Sequence, residues 1–235
     1  MEITTYEDLA QHLIDNKMTM LWKDLFNLPI RNYSKIVDVD GDIVECGVWR
    51  GGCSIFLSHL FPNKTIWCCD SYEGFQPLED ATYKFKGERH TPNFTHGVKG
   101  PIAISLEEVK NNFEFYGIPC KQDSDRVKFL KGFVNQTLPT APIEKISLLR
   151  LDVDSYSATL EILNILYDKV QSGGFIIFDD INLKESYQAI IDFLTKRSLP
   201  LELYHPSTDE KYRLDQGRIV NSDSGFPSNS YIIKK

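Results

Sequence analysis

The chain has 235 residues, with 26 lysines and arginines against 33 aspartates and glutamates, and a formal net charge of −7. This length fits one α/β domain with extensions. The acidic balance argues against nucleic acid and anionic membranes as partners. No apolar run approaches the roughly 20 residues that a membrane helix needs. Because the five cysteines lack CxxC spacing and the acidic N-terminal segment is unlike a signal peptide, we expect a reduced cytoplasmic protein without zinc.

The order of predicted elements is typical of an α/β fold. Residues 1–40 predict an N-terminal helical extension, because Leu9 and Leu13, and then Leu21 and Leu25, recur at four-residue spacing. From residue 41 to residue 235 the pattern predicts one domain. Its buried strands are predicted at 42–47, 65–70, 127–132, 146–153 and 174–180, and its helices at 52–61, 105–117, 155–173 and 184–197. Two further strands are predicted in "LELYHP" and "SYIIKK". Continuous apolar strands joined by helices indicate a doubly wound, mostly parallel, Rossmann-like sheet.

A long polar stretch interrupts this alternation at residues 71–104. A loop of this length inside a compact domain is usually a functional lid or a disordered segment. It carries a local basic excess in an acidic protein, which favours either a solvated surface or the recognition of a phosphate on a substrate.

The stretch "VECGVWRGGCS" follows the first strand and opens the first helix of the domain. Its glycines allow a tight turn and close backbone approach to a ligand, but it is not the G-x-G-x-x-G of dinucleotide sites. Glu45 would repel a diphosphate and suits a cationic ligand, whereas Asp70, after the second strand, is placed to bind ribose hydroxyls. A nucleoside with a cationic tail is S-adenosylmethionine. The competing interpretation is that these are ordinary turn glycines and a helix-capping acid.

Two pairs of aspartates end two consecutive predicted strands, namely Asp152 with Asp154 and Asp179 with Asp180, and the four carboxylates meet if these strands are neighbours in the sheet. At about 4 Å and an effective dielectric constant near 20, each like-charge pair costs about 4 kcal/mol. Protonation or a bound cation would relieve this repulsion, and oxygen ligands favour Mg²⁺ or Ca²⁺. Helix capping explains one aspartate in each pair but not both. A divalent cation beside a methyl donor predicts methyl transfer to a hydroxyl, with a nearby aspartate accepting the proton.

The segments "GDIVECGVWRGGCS", "LRLDVDSYSAT" and "GGFIIFDD", with weaker matches between residue 41 and about residue 193, resemble the macrocin O-methyltransferase (TylF-type) family. The resemblance implies a class I methyltransferase fold with seven strands, the seventh antiparallel. It also implies S-adenosylmethionine as the methyl donor and Mg²⁺ as the metal. The C-terminal segment and "DDINLKESYQ" depart from the family pattern near the acceptor side, which leaves the acceptor open.

The resemblance also implies roles for individual residues. Asp152, Asp179 and Asp180 become metal ligands and Asp154 the general base, with Asp152 and Asp154 open to exchange. Gly132 and Phe133 fall where the adenine is held, and residues 71–104 match the lid over the acceptor. The other residues in donor-binding motifs are Glu45, Gly47, Trp49, Gly51, Ser54, Asp70 and Ser71.

These observations together predict an S-adenosylmethionine- and Mg²⁺-dependent O-methyltransferase. Its acceptor is expected to be a sugar hydroxyl on a glycosylated natural product or on a nucleotide-linked sugar used for antibiotic or polysaccharide biosynthesis. We expect a homo-oligomer, with a dimer favoured, and no nucleic-acid or membrane partner. The alternatives are an NAD-dependent oxidoreductase on a Rossmann-like fold and a non-catalytic nucleoside-binding protein.

Overall fold

The computed structural model describes residues 4–19, 23–77, 80–84, 102–120, 126–216 and 226–235. Most of the predicted lid lies outside the described residues. The same is true of its basic side chains Lys86, Arg89, His90, His96 and Lys99 and of Leu21 in the predicted N-terminal pattern. Within the described ranges, no helix is both long and apolar enough to cross a membrane.

The sheet has eight described strands in the order β3-β2-β1-β4-β5-β8-β6-β7. Their bounds are β1 Asp42–Cys46, β2 Ile66–Asp70, β3 Val127–Lys131, β4 Ile146–Leu151, β5 Val170–Phe178, β6 Glu202–Tyr204, β7 Lys211–Arg213 and β8 Ser230–Ile233. Strands β1 to β5 run parallel to one another, while β8 lies between β5 and β6 and is antiparallel to both. This arrangement confirms the predicted α/β class with a mostly parallel sheet and an antiparallel strand near the C-terminus.

The eighth strand, β7, adds to the seven expected ones and pairs antiparallel with β6 at the edge of the sheet. Its outer residues Lys211 and Arg213 are exposed. Lysine and other charged side chains are common on edge strands because they discourage pairing with another chain. For the same reason β7 lacks the apolar pattern that would have predicted it.

Helices cover both faces of the sheet. Those that follow the first strand are α4 Gly52–Leu60, α5 Leu106–Phe115, α6 Val134–Thr137, α7 Tyr156–Leu166 and α8 Lys184–Lys196. On one face Ile55 of α4 and Phe113 of α5 enter one buried cluster, and on the other Leu163 of α7 and Phe193 of α8 enter a second. The sequence-predicted helix starts are present: Ser105 and Ser155 each accept a hydrogen bond from a backbone N–H in the first turn of α5 and α7.

Three helices precede β1, namely α1 Tyr6–Asp15, α2 Lys23–Arg31 and α3 Tyr33–Val37. Thr5 and Asp8 form a reciprocal capping box at the start of α1, so the helix begins where its first free N–H groups find acceptors. Leu9 and Leu13, the predicted four-residue pair, are buried in the same cluster as Ile55. The N-terminal helices therefore pack against α4 as part of that core, and the boundary near residue 40 stays a prediction.

Candidate functional site

A cavity of about 320 Å³ lies at the carboxyl ends of the parallel strands. Its size falls within the range of small-molecule sites, and its position is where open α/β sheets bind ligands. Most sequence-predicted site residues line it, namely Glu45, Gly47, Trp49, Asp70, Ser71, Gly132, Phe133, Asp152, Asp154, Asp179 and Asp180. Gly51 and Ser54 are not among the lining residues.

Two glycines allow the backbone to pass close to itself at the start of this cavity. Gly47 has φ +89°, and a Cβ built there would lie 1.6 Å from the carbonyl oxygen of Asp152. A Cβ on Gly52 would lie 2.4 Å from the carbonyl oxygen of Met18, which also accepts the Gly52 N–H at 3.1 Å. The glycines thus permit contacts within this chain, and the predicted approach of a ligand to them stays a prediction.

Asp70 organises the loops that follow β1 and β2. Its Oδ2 accepts hydrogen bonds from the backbone N–H groups of Val48 (2.7 Å) and Trp49 (3.1 Å), and its Oδ1 accepts from that of Tyr72 (2.7 Å). Trp49 and Tyr72 both have positive φ, 46° and 57°, which costs free energy and is characteristic of functional sites. Asp70 therefore supports the cavity wall, and its predicted contact with a ribose stays a prediction.

Trp49 lines the cavity, and its indole Nε1 is buried and has no hydrogen-bond partner. The guanidinium of Arg50 lies 5.1 Å from the centre of the indole ring. An indole ring that contacts a cation and also lines the cavity is suited to contact an aromatic or polar ligand.

Glu45 is almost completely buried, and both its carboxylate oxygens are engaged. Oε1 accepts from Nη1 of Arg150 at 2.7 Å, and Oε2 accepts from the hydroxyl of Ser54. Burial raises the pKa of Glu45, and the charge of Arg150 opposes that rise. Ser54 thus acts through Glu45 rather than by facing the cavity.

Arg150 is the charged residue of the cavity wall that sequence reasoning missed. Its side chain is 4% exposed, and its Nη1 donates both to Glu45 and to Oδ2 of Asp152 (2.8 Å), while its Nη2 donates to Oδ1 of Asp179 (2.6 Å). One guanidinium therefore joins the ends of β1, β4 and β5. The signal was present in "ISLLRL", where a single cation interrupts an aliphatic strand, because arginine is almost never fully buried without partners.

Three of the four predicted aspartates approach one another closely. Asp152, Asp154 and Asp180 each offer a carboxylate oxygen within 4.8 Å of the others. Oδ2 of Asp180 accepts the backbone N–H groups of Val153 (2.8 Å) and Asp154 (2.9 Å), which stabilises the turn after β4 with Asp154 at φ 52°. Asp179 lies beside Arg150 instead, so the structure brings all four to one wall of the cavity but gives them different partners. Their division into ligands and base stays a prediction.

The carboxylates at the ends of β4 and β5 carry more negative charge than Arg150 neutralises. Burial, followed by the charge of Asp152, raises the pKa of Asp179 to about 7, although Arg150 opposes the rise. Desolvation and then Asp152 raise the pKa of Asp154 to about 6, although its side chain reaches the open cavity. The pKa of Asp180 is also raised well above its ordinary value, mainly by burial. Clustered carboxylate oxygens with excess negative charge fit a hard divalent cation such as Mg²⁺.

Two further parts of the chain line or border the cavity. The N-terminal segment extends the wall through Met18 and Thr19, which follow α1, and Leu25 of α2. The sequence did not predict this contribution to the site within one chain. At the described end of the predicted lid, the Tyr83 N–H donates to the hydroxyl of Ser157 on α7 at 3.1 Å. The predicted role of residues 71–104 in covering an acceptor stays a prediction.

The strand order, with antiparallel β8 between β5 and β6 and a cavity at the carboxyl edge, defines the class I methyltransferase fold. Solved structures agree. The O-methyltransferase NovP superposes with a TM-score of 0.63 at 26% identity, covering 98% of this chain and 79% of NovP. CalS11, a calicheamicin methyltransferase, superposes with a TM-score of 0.61 at 20% identity, covering 99% of this chain and 86% of CalS11, and supports the fold alone.

Residues 29–209 match the macrocin O-methyltransferase (TylF) family model, and the chain belongs to this family. Over 170 residues it is 34% identical to mycinamicin III 3''-O-methyltransferase of Micromonospora griseorubida, covering 70% of this chain and 65% of that protein. Over 148 residues it is 39% identical to demethyldecarbamoylnovobiocin O-methyltransferase of Streptomyces niveus, covering 61% of this chain and 53% of that protein. The chain thus spans less than two thirds of the length of these curated relatives.

Proposed function

We propose that the protein is an S-adenosylmethionine- and Mg²⁺-dependent O-methyltransferase that acts on a sugar hydroxyl of a glycosylated natural product or a nucleotide-linked sugar. The observation that carries the proposal is the placement of four aspartates, including Asp179, on one wall of a cavity at the carboxyl edge of a methyltransferase fold. Oxygens of three of them, Asp152, Asp154 and Asp180, lie within 4.8 Å of one another. Membership of the O-methyltransferase family supports the reaction type, and the relatives named above support a sugar-bearing acceptor.

The donor is proposed to bind across the ends of β1, β2 and β3. Asp70 would accept a hydrogen bond from the ribose through Oδ1, which has one backbone contact and so retains a lone pair, whereas Oδ2 already accepts two backbone N–H groups. Trp49 would contact the donor with its open ring face or its unpartnered Nε1. Ser71, Gly132 and Phe133 line the same part of the cavity and complete the proposed donor site.

Glu45, Gly47, Gly51 and Ser54 are proposed to support donor binding rather than to bind through free polar side chains. The carboxylate of Glu45 is already engaged by Ser54 and Arg150. Gly47 and Gly51 both have positive φ and shape the turn between β1 and α4.

Asp152, Asp179 and Asp180 are proposed to hold the Mg²⁺, and Asp154 to act as the general base, with the roles of Asp152 and Asp154 open to exchange. Bound there, Mg²⁺ would supply Lewis acidity that lowers the pKa of an acceptor hydroxyl. Asp154 faces the cavity, and a pKa of about 6 leaves it mostly ionised at neutral pH, so that it can accept the hydroxyl proton. Asp180 holds the backbone of Asp154 and so positions this base.

The proposal is tested by incubating the protein with labelled S-adenosylmethionine and a panel of glycosylated and nucleotide-linked sugars, with EDTA and then with excess MgCl₂. Label should transfer to at least one sugar, stop with EDTA and resume with MgCl₂. Asp154→Asn should lower turnover by about 10²- to 10⁴-fold while still binding S-adenosylhomocysteine.

Other outcomes would favour the alternatives. Binding of S-adenosylhomocysteine without transfer to any sugar would favour a nucleoside-binding protein. Tight binding of NAD instead would favour an oxidoreductase, which the family match already makes the weaker alternative. Transfer at full rate in EDTA would contradict the metal dependence.

A further inference from the structure

Arg150 joins the ends of three strands, and its positive charge also lies among several carboxylates. Its guanidinium donates to Glu45, Asp152 and Asp179 at 2.6–2.8 Å and is almost completely buried. In β1 and β4, Glu45 and Arg150 are register partners, so the contact follows directly from the sheet. Asp152 and Asp179 lie beyond the strand ends and reach back to the same group.

Carboxyl groups outnumber cationic groups around this guanidinium. Five carboxylates line this part of the cavity, those of Glu45, Asp152, Asp154, Asp179 and Asp180. Among the described residues that line the cavity, Arg150 provides the one guanidinium or ammonium group. A divalent cation bound by the aspartates would therefore share Asp152 and Asp179 with a permanent positive charge, and would be repelled by it.

We propose that Arg150 is a resident counterion of this carboxylate cluster: by neutralising Asp152 and Asp179 it limits the cluster to one divalent cation and lowers the affinity for that cation. The inference rests on the proposed function, since it concerns the same Mg²⁺. It assigns Arg150 a role as a positioning residue, because it acts through carboxylates that it fixes in place.

The counterion role and a purely structural role predict opposite changes in Mg²⁺ affinity when Arg150 is replaced. If Arg150 only holds the strand ends together, its removal disorders Asp152 and Asp179 and weakens Mg²⁺ binding. If Arg150 is a counterion, its removal frees two carboxylates and ends the repulsion, so Mg²⁺ binds more tightly or in greater number. Turnover falls in both cases, which makes metal affinity without donor the informative measurement.

The experiment titrates MgCl₂ alone into the full chain by isothermal calorimetry. Arg150→Met removes the charge, but it leaves the buried Glu45 without its cationic partner. The double variant Glu45→Gln with Arg150→Met removes that unpaired charge as well. Arg150→Lys keeps the charge without the planar fork. Arg197→Met is the matched control, because Arg197 pairs with Asp168 and does not line the cavity.

We expect the two Met variants to bind Mg²⁺ at least about tenfold more tightly than the wild type, or with more than one ion per chain. Arg150→Lys should stay within about threefold of the wild type, since it retains the charge. Arg197→Met should not change Mg²⁺ binding. Thermal unfolding of each variant shows which of them are folded.

Unchanged or weaker one-site binding by a folded Met variant would overturn the counterion role, while EDTA-sensitive turnover by the wild type would leave the proposed function standing. If both Met variants fail to fold, Arg150→Lys decides, because a loss of more than about tenfold in Mg²⁺ affinity with the charge retained would show a structural role. A wild type that binds no Mg²⁺ would overturn the proposed function and this inference together.

Discussion

The two halves of the cavity wall treat their carboxylates differently. At the ends of β1 and β2, Glu45 is satisfied by Ser54 and Arg150, and Asp70 accepts three backbone N–H groups. At the ends of β4 and β5, Asp154 and Asp179 have pKa values raised to about 6 and about 7, because burial and neighbouring charge penalise their ionised forms. In the first half, groups of the chain itself satisfy the carboxylates. In the second half, some negative charge is not neutralised by the chain.

This difference fits the proposal that one edge of the sheet serves two ligands. Hydrogen bonds within the chain order the first half, as expected of a site that would bind a nucleoside by shape and by its remaining polar groups. The second half holds like charges together at a cost in stability, and a cation would relieve that cost. Substitutions in the two halves should therefore have separable effects, one on the donor and one on metal-dependent turnover.

A large effect on turnover should come from Asp180→Asn in the second half. It removes a charge and a proposed ligand but leaves an oxygen that can accept the N–H groups of Val153 and Asp154. We expect turnover with saturating MgCl₂ to fall by about 10³-fold, because metal-ion catalysis supplies several kcal/mol of transition-state stabilisation. Affinity for S-adenosylhomocysteine, measured by calorimetry, should stay within about twofold of the wild type.

The control for this prediction is Asp168→Asn, which removes a largely exposed aspartate that pairs with Arg197. It should leave both quantities unchanged. If Asp180→Asn instead weakened donor binding as much as turnover, the two halves would not be separable, and the comparison would fail.

A smaller effect, on donor affinity rather than on metal-dependent turnover, is expected from substituting Asp70 in the first half. Asp70→Ala removes the acceptor of three backbone N–H groups, so the loops after β1 and β2 should lose order and S-adenosylhomocysteine should bind about tenfold less tightly. Asp70→Asn keeps one carbonyl oxygen and should fall between Ala and wild type. Mg²⁺ affinity in calorimetry should be unchanged. Unaltered donor binding in both variants would remove the ribose role of Asp70.

Much of the fold and half of the site follow from local sequence signals. Continuous apolar runs predict the buried strands, and Ser105 and Ser155 predict the starts of α5 and α7. The rule that parallel strands end at one edge predicts that Asp152 and Asp180 approach each other, as they do. Each of these inferences needs only the period of a segment and the residue that ends it.

The remaining features depend on contacts between distant segments. The partners of Arg150 follow from the register of β1 against β4, which the sequence of neither strand specifies. The different partners of Asp154 and Asp179 depend on a backbone turn with positive φ at Asp154. The Met18 carbonyl reaches Gly52 only because α1 packs on α4. These contacts are tertiary, so no periodicity or spacing could have predicted them.

The smallest expected effect is on stability, and it concerns the charge that the second half retains. The folded-state pKa of Asp154, about 6, lies above the ordinary value of 3.8, so the folded chain binds more protons than the unfolded chain between these values. Stability from this group is therefore fully present below about pH 4 and is lost as the pH rises through 6.

In EDTA, the melting temperature of the wild type relative to Asp154→Asn should fall by about 2–5 °C between pH 4.5 and pH 7.5. Using the difference between the two proteins cancels the titration of groups elsewhere in the chain. Saturating MgCl₂ should remove most of the fall, since a bound cation favours the ionised carboxylates. If the difference in melting temperature between the two proteins did not change with pH in EDTA, ionisation of Asp154 in the second half would not destabilise the fold.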